Sequence, residues 1–501
     1  MQDILIIGGG INGVGIARDA VGRGLNVTLV EKGDLASQTS SWSTKLIHGG
    51  IRYLENYEFR LVRESLKERE VIKSIAPHIS KPIRFVMPHV SHLRPVWLIR
   101  MGLLLYDWLG GFITLPKSKY VNLQNDYSDN PLKENFQKGY EYSDLSIDDA
   151  RLVLLNAQDA LNRGAEIILN KSVTNAIRHD DYWEVELSDK KIIKTKTIIN
   201  ASGPFVLNIL KDICKVQTNK SLRLVQGSHL IVKKLYEGEQ AYILQQDDKR
   251  IVFMIPYQNE FTLIGTTDKE VDSYLNPTIT SEEQSYLLNA VNSFLKNHIS
   301  ESDIVWTYAG IRPLLDDFNQ SASKVTRDYE FDLDVNGAPI LSIFGGKLTT
   351  YRKLAEHALE KLSAVISIKN TTWTDKEQLP GAGTFTSEEF NNLLPISMMQ
   401  RFSQSYGNQI SKLYSYFISS GNGGAKITED LYEFEIAYLV KEEMASSAED
   451  ILFRRTKLGI NFPKDKINSL NDVLKNFSAN IFEGKLPLDL KVILKSTALI
   501  L

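Results

Sequence analysis

The first 31 residues form a pattern that few folds can accommodate. An apolar run, Ile4-Leu5-Ile6-Ile7, leads into glycines at 8, 9, 10, 13 and 15. A helical stretch from Asn12 to Arg23 follows, Gly24 stops it, and Val27-Thr28-Leu29-Val30-Glu31 closes the unit. Neither apolar run alternates with polar residues, as expected for parallel strands buried on both faces, and parallel pairing needs the crossover helix between them. The expected fold class is therefore α/β with a doubly wound sheet. At the strand-to-helix turn Gly8, Gly10 and Gly13 make GxGxxG, with Glu31 eighteen residues beyond Gly13. Gly8 permits the tight turn, Gly10 admits a pyrophosphate to the backbone, and Gly13 lets helix and sheet approach; the helix start at Ile11 and Asn12 supplies amide donors. Glu31, followed by Lys32, is placed to accept from adenosine ribose hydroxyls, and an acid there argues against a 2′-phosphate. The fingerprint predicts dinucleotide binding without separating FAD from NAD.

Further strands are expected at Glu166–Leu169, at the alternating Tyr182–Leu187, and at Thr197–Asn200. A second strand-to-helix junction comes late, where Pro339–Phe344 runs into Gly345-Gly346 and a helix from about Leu348 to Leu362. The sheet is thus assembled from distant segments. Pro82–Pro95 and the strand-rich Leu222–Thr267 read as insertions that build a second domain. A polar stretch, Lys369–Glu377, and the turn Pro380-Gly381-Ala382-Gly383 mark a linker. Beyond it Ile436, Leu439, Val440 and Met444 recur at helical spacing. The expected division is 1–80, 141–215 and 305–366 for the dinucleotide domain, 81–140 and 216–304 for a substrate domain, 367–385 for the linker and 386–501 for a helical C-terminal domain.

Composition excludes several classes. Cys214 is the only cysteine, which rules out an intrachain disulfide framework and Cys-clustered zinc or iron–sulfur sites, and points to a reducing compartment. No EF-hand spacing is present, so no metal is expected. The 58 Lys+Arg against 61 Asp+Glu leave a formal charge of −3, with no global basic field for nucleic acid. The start of the chain shows no secretory or transit pattern. The most apolar window, Met101–Leu115, contains Asp107 and is shorter than the roughly 20 residues of a bilayer span, so no transmembrane helix is expected.

The segment after the second strand bears on the cofactor. Ser40, Ser43, Thr44, Lys45, Leu46, His48, Gly49 and Gly50 place hydroxyls, a lysine and a glycine pair just before Ile51-Arg52-Tyr53-Leu54. A nicotinamide enzyme has no need of this extension, whereas an FAD enzyme uses such residues against the pyrophosphate and the isoalloxazine face. The competing reading is a polar loop leading into a helix, Glu58 to Ile75.

On Ile6–Gly13, Ser40–Leu54, Gly227-Ser228-His229, Gly265-Thr266-Thr267-Asp268, Ala309–Leu314, Gly345–Arg352 and Asp450–Gly459, the chain resembles the FAD-dependent, respiratory-type glycerol-3-phosphate dehydrogenases over nearly its whole length. The resemblance implies an FAD-binding domain of glutathione-reductase or amino-acid-oxidase type, an antiparallel substrate domain and a helical C-terminal domain. It implies oxidation of sn-glycerol 3-phosphate to dihydroxyacetone phosphate, with electrons passing from FAD to membrane quinone, in a cytoplasmic protein attached peripherally to the inner face of the cell membrane; a homodimer is allowed. An oxidase handing electrons to oxygen, and a non-catalytic FAD-fold binding protein, are the alternatives. Ala201-Ser202-Gly203 stands where the family commonly has Ala-Thr-Gly, and Gln226 where it commonly has Lys.

Oxidising a secondary alcohol requires a hydride acceptor and a proton acceptor. His229 is the expected base, and Arg312 the group that stabilises charge on the reacting oxygen. Arg52 and Tyr53, with Lys347, Thr267 and Asp268, are expected at the substrate and its phosphate. Gly346, Lys347, Leu348 and Thr349 are expected at the flavin N1/C2=O edge through the helix start. The resemblance adds Ala201, Ser202 and Gly203 to the cofactor site, and Val173 at adenine. Arg94–Trp108 mixes cations, tryptophans and aliphatics, a composition suited to a membrane interface; a core helix is the alternative.

Overall fold

The computed structural model describes residues 1–90, 95–111, 114–127, 129–315, 328–383, 390 and 393–482. Its first sheet runs in the order Tyr329–Asp334, Ile340–Gly345, Ile192–Asn200, Gln2–Ile7, Val27–Val30, Glu166–Ile168, and all pairings but the first are parallel. Ile4 and Ile6 enter one core while Leu5 and Ile7 enter the other, which explains the unbroken apolar run. One core is built with the helices Ile11–Gly22, Asp149–Asn162 and Tyr351–Leu362. On the opposite face, Val173–Arg178 and Trp183–Leu187 fold back as an antiparallel flap, with Trp183 fully buried. Asp148 caps the Asp149–Asn162 helix by accepting from the Arg151 amide at 3.0 Å.

The second sheet gathers Leu46–Ile47, Ser80–Pro88, Lys119–Asn122, Lys138–Ile147, Leu222–Lys233, Ala241–Gln245, Ile251–Tyr257, Phe261–Gly265, Lys269–Glu270 and Ile304–Leu315. It is antiparallel except for Ala241–Gln245, which pairs parallel to Ser80–Pro88. The helix Val96–Leu109 covers one face through Ile99, Leu103 and Tyr106; Ser281–Asn292, opened by a Thr280–Glu283 capping box, covers the other. Three strands correct the expected domain limits. Leu46–Ile47, Lys138–Ile147 and Ile304–Leu315 pair into this sheet, although 1–80, 141–215 and 305–366 are assigned by sequence to the dinucleotide domain. Periodicity reveals a strand but not its partner.

The C-terminal region packs Ile396–Tyr406, Ile410–Ser419, Glu433–Glu443 and Ile467–Phe482 around Phe390, Phe402, Phe417 and Phe434. The expected linker is not a free tether. Trp373 lies against Gly22 and donates to the Asp19 carbonyl (3.2 Å), Arg18 donates to the Glu377 carbonyl (2.8 Å), and the Leu379 amide donates to the Ile75 carbonyl (2.8 Å).

Candidate active site

One cavity lies between the two sheets, and its wall runs from the glycine turn to Thr349. Gly8 adopts φ +117°, where a side chain is strained and a Cβ would lie 2.6 Å from the Ala201 carbonyl oxygen. A Cβ on Gly13 would run into the Gly8 carbonyl, so this glycine acts in helix–sheet contact and does not line the cavity. Ser40 Oγ accepts from the Ile11 amide (3.0 Å) at the start of the first helix. Glu31 is held by two backbone donors, Gly9 (2.6 Å) and Gly33 (2.9 Å), while burial pushes its carboxyl above the usual range against those amides. Lys32 sits 3.3 Å over the Phe205 ring. Ile11, Asn12, Val173, Ala201, Ser202 and Gly203 complete this end. Asn12 Nδ2 donates to the Gly345 carbonyl (3.3 Å), and its buried Oδ1 has no hydrogen-bond partner among the described residues.

At the other end His229 projects from Leu222–Lys233. Its ring stacks on Tyr308 (centroids 4.6 Å apart, 14° between planes), and Nε2 lies 3.0 Å from Thr44 Oγ1. Burial pulls its pKa well below the ordinary histidine value, and Arg312 and Lys45 push in the same direction, so the ring is neutral. Gly265, opposite His229 in the ladder, leaves the ring its space. Arg312 is fixed by Asp268, by Thr266 Oγ1 (3.0 Å) and by the Thr267 carbonyl (3.4 Å); Gly227 makes room for its guanidinium. Lys347 Nζ lies 4.1 Å over the Tyr53 ring. Thr349 Oγ1 stands 3.4 Å from the His48 amide, and His48 meets Phe253 edge-on at 6.5 Å. Ser43, Leu46, Gly50, Gly346 and Leu348 also line this end.

Several expected positions face elsewhere. Lys45 has φ +60° and sends Nζ behind the wall to Asp149, 3.0 Å from both carboxylate oxygens. Gly49 donates its amide to Tyr106 Oη (2.8 Å) and is packed against Leu66, outside the lining. Thr267 turns its hydroxyl to Glu283 (2.6 Å), so only its carbonyl reaches Arg312. Gln226 likewise points to Glu283 (2.8 Å) and the Thr278 carbonyl (3.0 Å), away from the cavity. The late helix begins at Tyr351, three residues after the expected start, leaving Gly346 and Lys347 in irregular backbone and Leu348–Thr350 as a turn. The Arg52 side chain and all of Arg94 lie outside the described residues. Cys214 is buried away from this cavity, and burial pushes its thiol up to about 12.

The sequence reading did not single out Tyr308, Trp42, Phe253 or Glu283. Tyr308 immediately precedes the Ala309–Leu314 stretch, but its stacking on His229 joins positions 79 apart in sequence. Glu283 has a readable signal only as the capping box Thr280–Glu283.

A dinucleotide cradle at one end of a cavity and a neutral histidine beside an anchored arginine at the other define a flavin-dependent oxidoreductase. Residues 3–352 match the FAD dependent oxidoreductase family, and 372–481 match the C-terminal domain of alpha-glycerophosphate oxidase. The chain is 48% identical to a glycerol-3-phosphate dehydrogenase of Pseudomonas aeruginosa, covering 92% of each chain. It is also 43% identical to the D-erythritol 1-phosphate dehydrogenase of Brucella abortus, over 91% of this chain and 94% of that one. The glycerol-3-phosphate dehydrogenase of Bacillus halodurans, solved with FAD, superposes with a TM-score of 0.74 at 25% identity, covering 99% of this chain and 95% of that one. The chain belongs to the glycerol-3-phosphate dehydrogenase family of FAD-dependent oxidoreductases.

Proposed function

We propose that this protein oxidises sn-glycerol 3-phosphate to dihydroxyacetone phosphate and delivers the electrons to membrane quinone. The observation that carries the reading is the meeting of neutral His229, Asp268-anchored Arg312 and Lys347 at the cavity end opposite the dinucleotide cradle. FAD, when bound, supplies the hydride acceptor. The cradle of Gly8, Gly10, Glu31, Ser40 and the Ser202–Gly203 turn, together with the unsatisfied Asn12 Oδ1, suits a dinucleotide. A substrate hydroxyl that replaces the Thr44 hydroxyl at His229 Nε2 gives up its proton there, because a neutral imidazole is a ready acceptor. Arg312 cannot serve as base; its guanidinium stabilises negative charge on the same oxygen, and Asp268 and Thr266 keep it aimed. Lys347 and Tyr53 supply the phosphate site.

Membrane attachment is proposed for the helix Val96–Leu109. Its inner face is core, and its outer face exposes Trp97 (65%), Trp108 (75%), Met101 and Leu104, an apolar surface ending in tryptophans. Among the described residues no helix is long and apolar enough to cross a membrane, so the attachment proposed is peripheral, from the cytoplasmic side.

The test is anaerobic. Flavin-loaded protein is mixed with glycerol 3-phosphate or D-erythritol 1-phosphate while the visible flavin absorbance is followed, and a soluble quinone analogue or oxygen is then admitted to separate cuvettes. Bleaching by glycerol 3-phosphate with fast recovery only on quinone is the expected result. Faster bleaching by D-erythritol 1-phosphate moves the substrate, fast recovery on oxygen makes the enzyme an oxidase, and no bleaching by either ester refutes the reading.

A further inference from the structure

Among the described residues none that lines the cavity comes from beyond Thr349, yet a four-residue run of the C-terminal domain grips the loops behind both of its ends. Asp34, three residues after Glu31, is buried and receives two guanidinium groups: Arg454 through Nε at 2.6 Å, and Arg455 through Nη1 and, at 2.8 Å, Nη2. Both arginines are themselves held inside their own domain. Arg454 is bound to Asp450 and to Glu449 (2.7 Å), and Arg455 to the Glu443 carbonyl (2.8 Å). The carboxylate therefore cannot shift without dragging the C-terminal domain or leaving buried charge unpaired.

The loop that carries Asp34 forms the ribose end of the cradle. Next to Asp34, Leu35 abuts Gly9, and the Ala36 amide donates to the Gly9 carbonyl at 3.1 Å. Glu31 closes the same loop through the Gly9 and Gly33 amides. At the other end Lys457 Nζ lies 3.3 Å from Asp148 and 3.6 Å from Asp149. Asp149 accepts from Ser43 Oγ at 2.7 Å, and Ser43 lines the cavity next to Thr44, the partner of His229.

We propose that the C-terminal domain is a working part of the FAD site: Arg454 and Arg455, through Asp34, and Lys457, through Asp149, hold the two cavity walls in the cofactor-binding geometry and thereby set how tightly FAD is retained. These are positioning residues, since none of them lines the cavity. The inference rests on FAD as the cofactor and is independent of the substrate.

The test compares full-length holoenzymes carrying Asp34→Asn, Arg455→Met or Lys457→Met with a control, Glu435→Gln. The control breaks a buried ion pair of the same kind (Arg401–Glu435, 2.6 Å) inside the C-terminal domain. FAD release is read from the rise of free-flavin fluorescence on dilution, and the thermal midpoint is measured with and without added FAD. The expected result is at least about tenfold faster release in Asp34→Asn and Arg455→Met, about threefold in Lys457→Met, and a midpoint restored by excess FAD. Glu435→Gln is expected to lower the midpoint and leave release within about twofold of wild type. Lys457→Met decides the matter if the buried Asp34 and Arg455 variants do not fold. Wild-type release from every folded clamp variant, or release from Glu435→Gln as fast as from them, overturns the proposal.

Discussion

Replacing Gly265 by alanine tests the proposed role of His229 without touching its chemistry. An alanine methyl at 265 would lie 2.8 Å from both Cγ and Nε2 of the His229 ring and nearer still to Cδ2. Carbon atoms pack at about 3.5–4.0 Å, so the ring must retreat by about 1 Å. It cannot do so freely, because Tyr308 is stacked on it and Tyr308 is itself tied to the Ser43 carbonyl at 2.8 Å. The displacement breaks the 3.0 Å approach of Nε2 to Thr44, and a misplacement of about 1 Å at a reacting group is worth about 10²-fold in rate. Gly265→Ala is therefore expected to lower kcat/KM about 100-fold, measured anaerobically as the rate of flavin reduction under substrate, with FAD retained. The decisive assay is a cycle with His229→Ala, which alone should cost about 10²–10⁴-fold. Gly265→Ala added to His229→Ala should cost nothing further, because the group it displaces is gone. Full additivity, or a Gly265→Ala rate within threefold of wild type, refutes the placement of the base at His229.

Further expectations concern protons, the membrane and Gln226. His229 is neutral because its pKa is pulled below the usual value, so the acid limb of kcat/KM should fall below pH about 6.5; a limb at or above that pH refutes the assignment. His78, half-buried beside Arg151 with both ring nitrogens buried and neither hydrogen-bonded among the described residues, is lowered to about 3. A folded pKa below the unfolded one means that stability is complete above pH about 6.5 and lost as pH falls toward the folded value; His78 alone should cost about 2 kcal/mol by pH 5. Calorimetric midpoints at pH 7.5 and 5 should diverge accordingly, and less so in a His78→Asn variant. Trp97→Ser with Trp108→Ser should reduce co-sedimentation with lipid vesicles at least about tenfold while leaving turnover with a soluble acceptor unchanged; unchanged sedimentation moves the attachment elsewhere. Gln226→Lys should alter KM for glycerol 3-phosphate by less than about twofold, because the new cation meets Glu283 and not the cavity; a tenfold fall in KM shows that residue 226 reaches the phosphate.

What the sequence made readable follows from locality. Ile4–Ile7, the glycine turn, the first helix and Val27–Val30 are contiguous, so apolar runs and glycine spacing locate them. The long strand Lys138–Ile147 was unreadable as part of the second sheet because its partner, Ser80–Pro88, lies across residues 89–137 and the helix within them. The site shows the same limit at finer scale. Thr266 and Thr267 are adjacent and alike, yet one hydroxyl meets Arg312 and the other meets Glu283. Thr44 and Lys45 are neighbours in a hydroxyl-rich stretch, but the left-handed backbone at Lys45 and the distant Asp149 turn its amine away from the cavity. Motifs identified which segments meet; which side chain faces inward depended on partners far along the chain.

The first strand has a temporal consequence. Gln2–Ile7 is synthesised well before its neighbour on one side, Ile192–Asn200, which is registered from Gln2 against Thr195 and in turn waits for Ile340–Gly345. At about 5–20 residues per second the growing chain spends roughly 10–40 s with one edge of its nucleotide-binding strand unpaired. During that interval the edge of Ile4–Ile7 is open to other chains, and the sheet that positions the glycine-rich turn is incomplete.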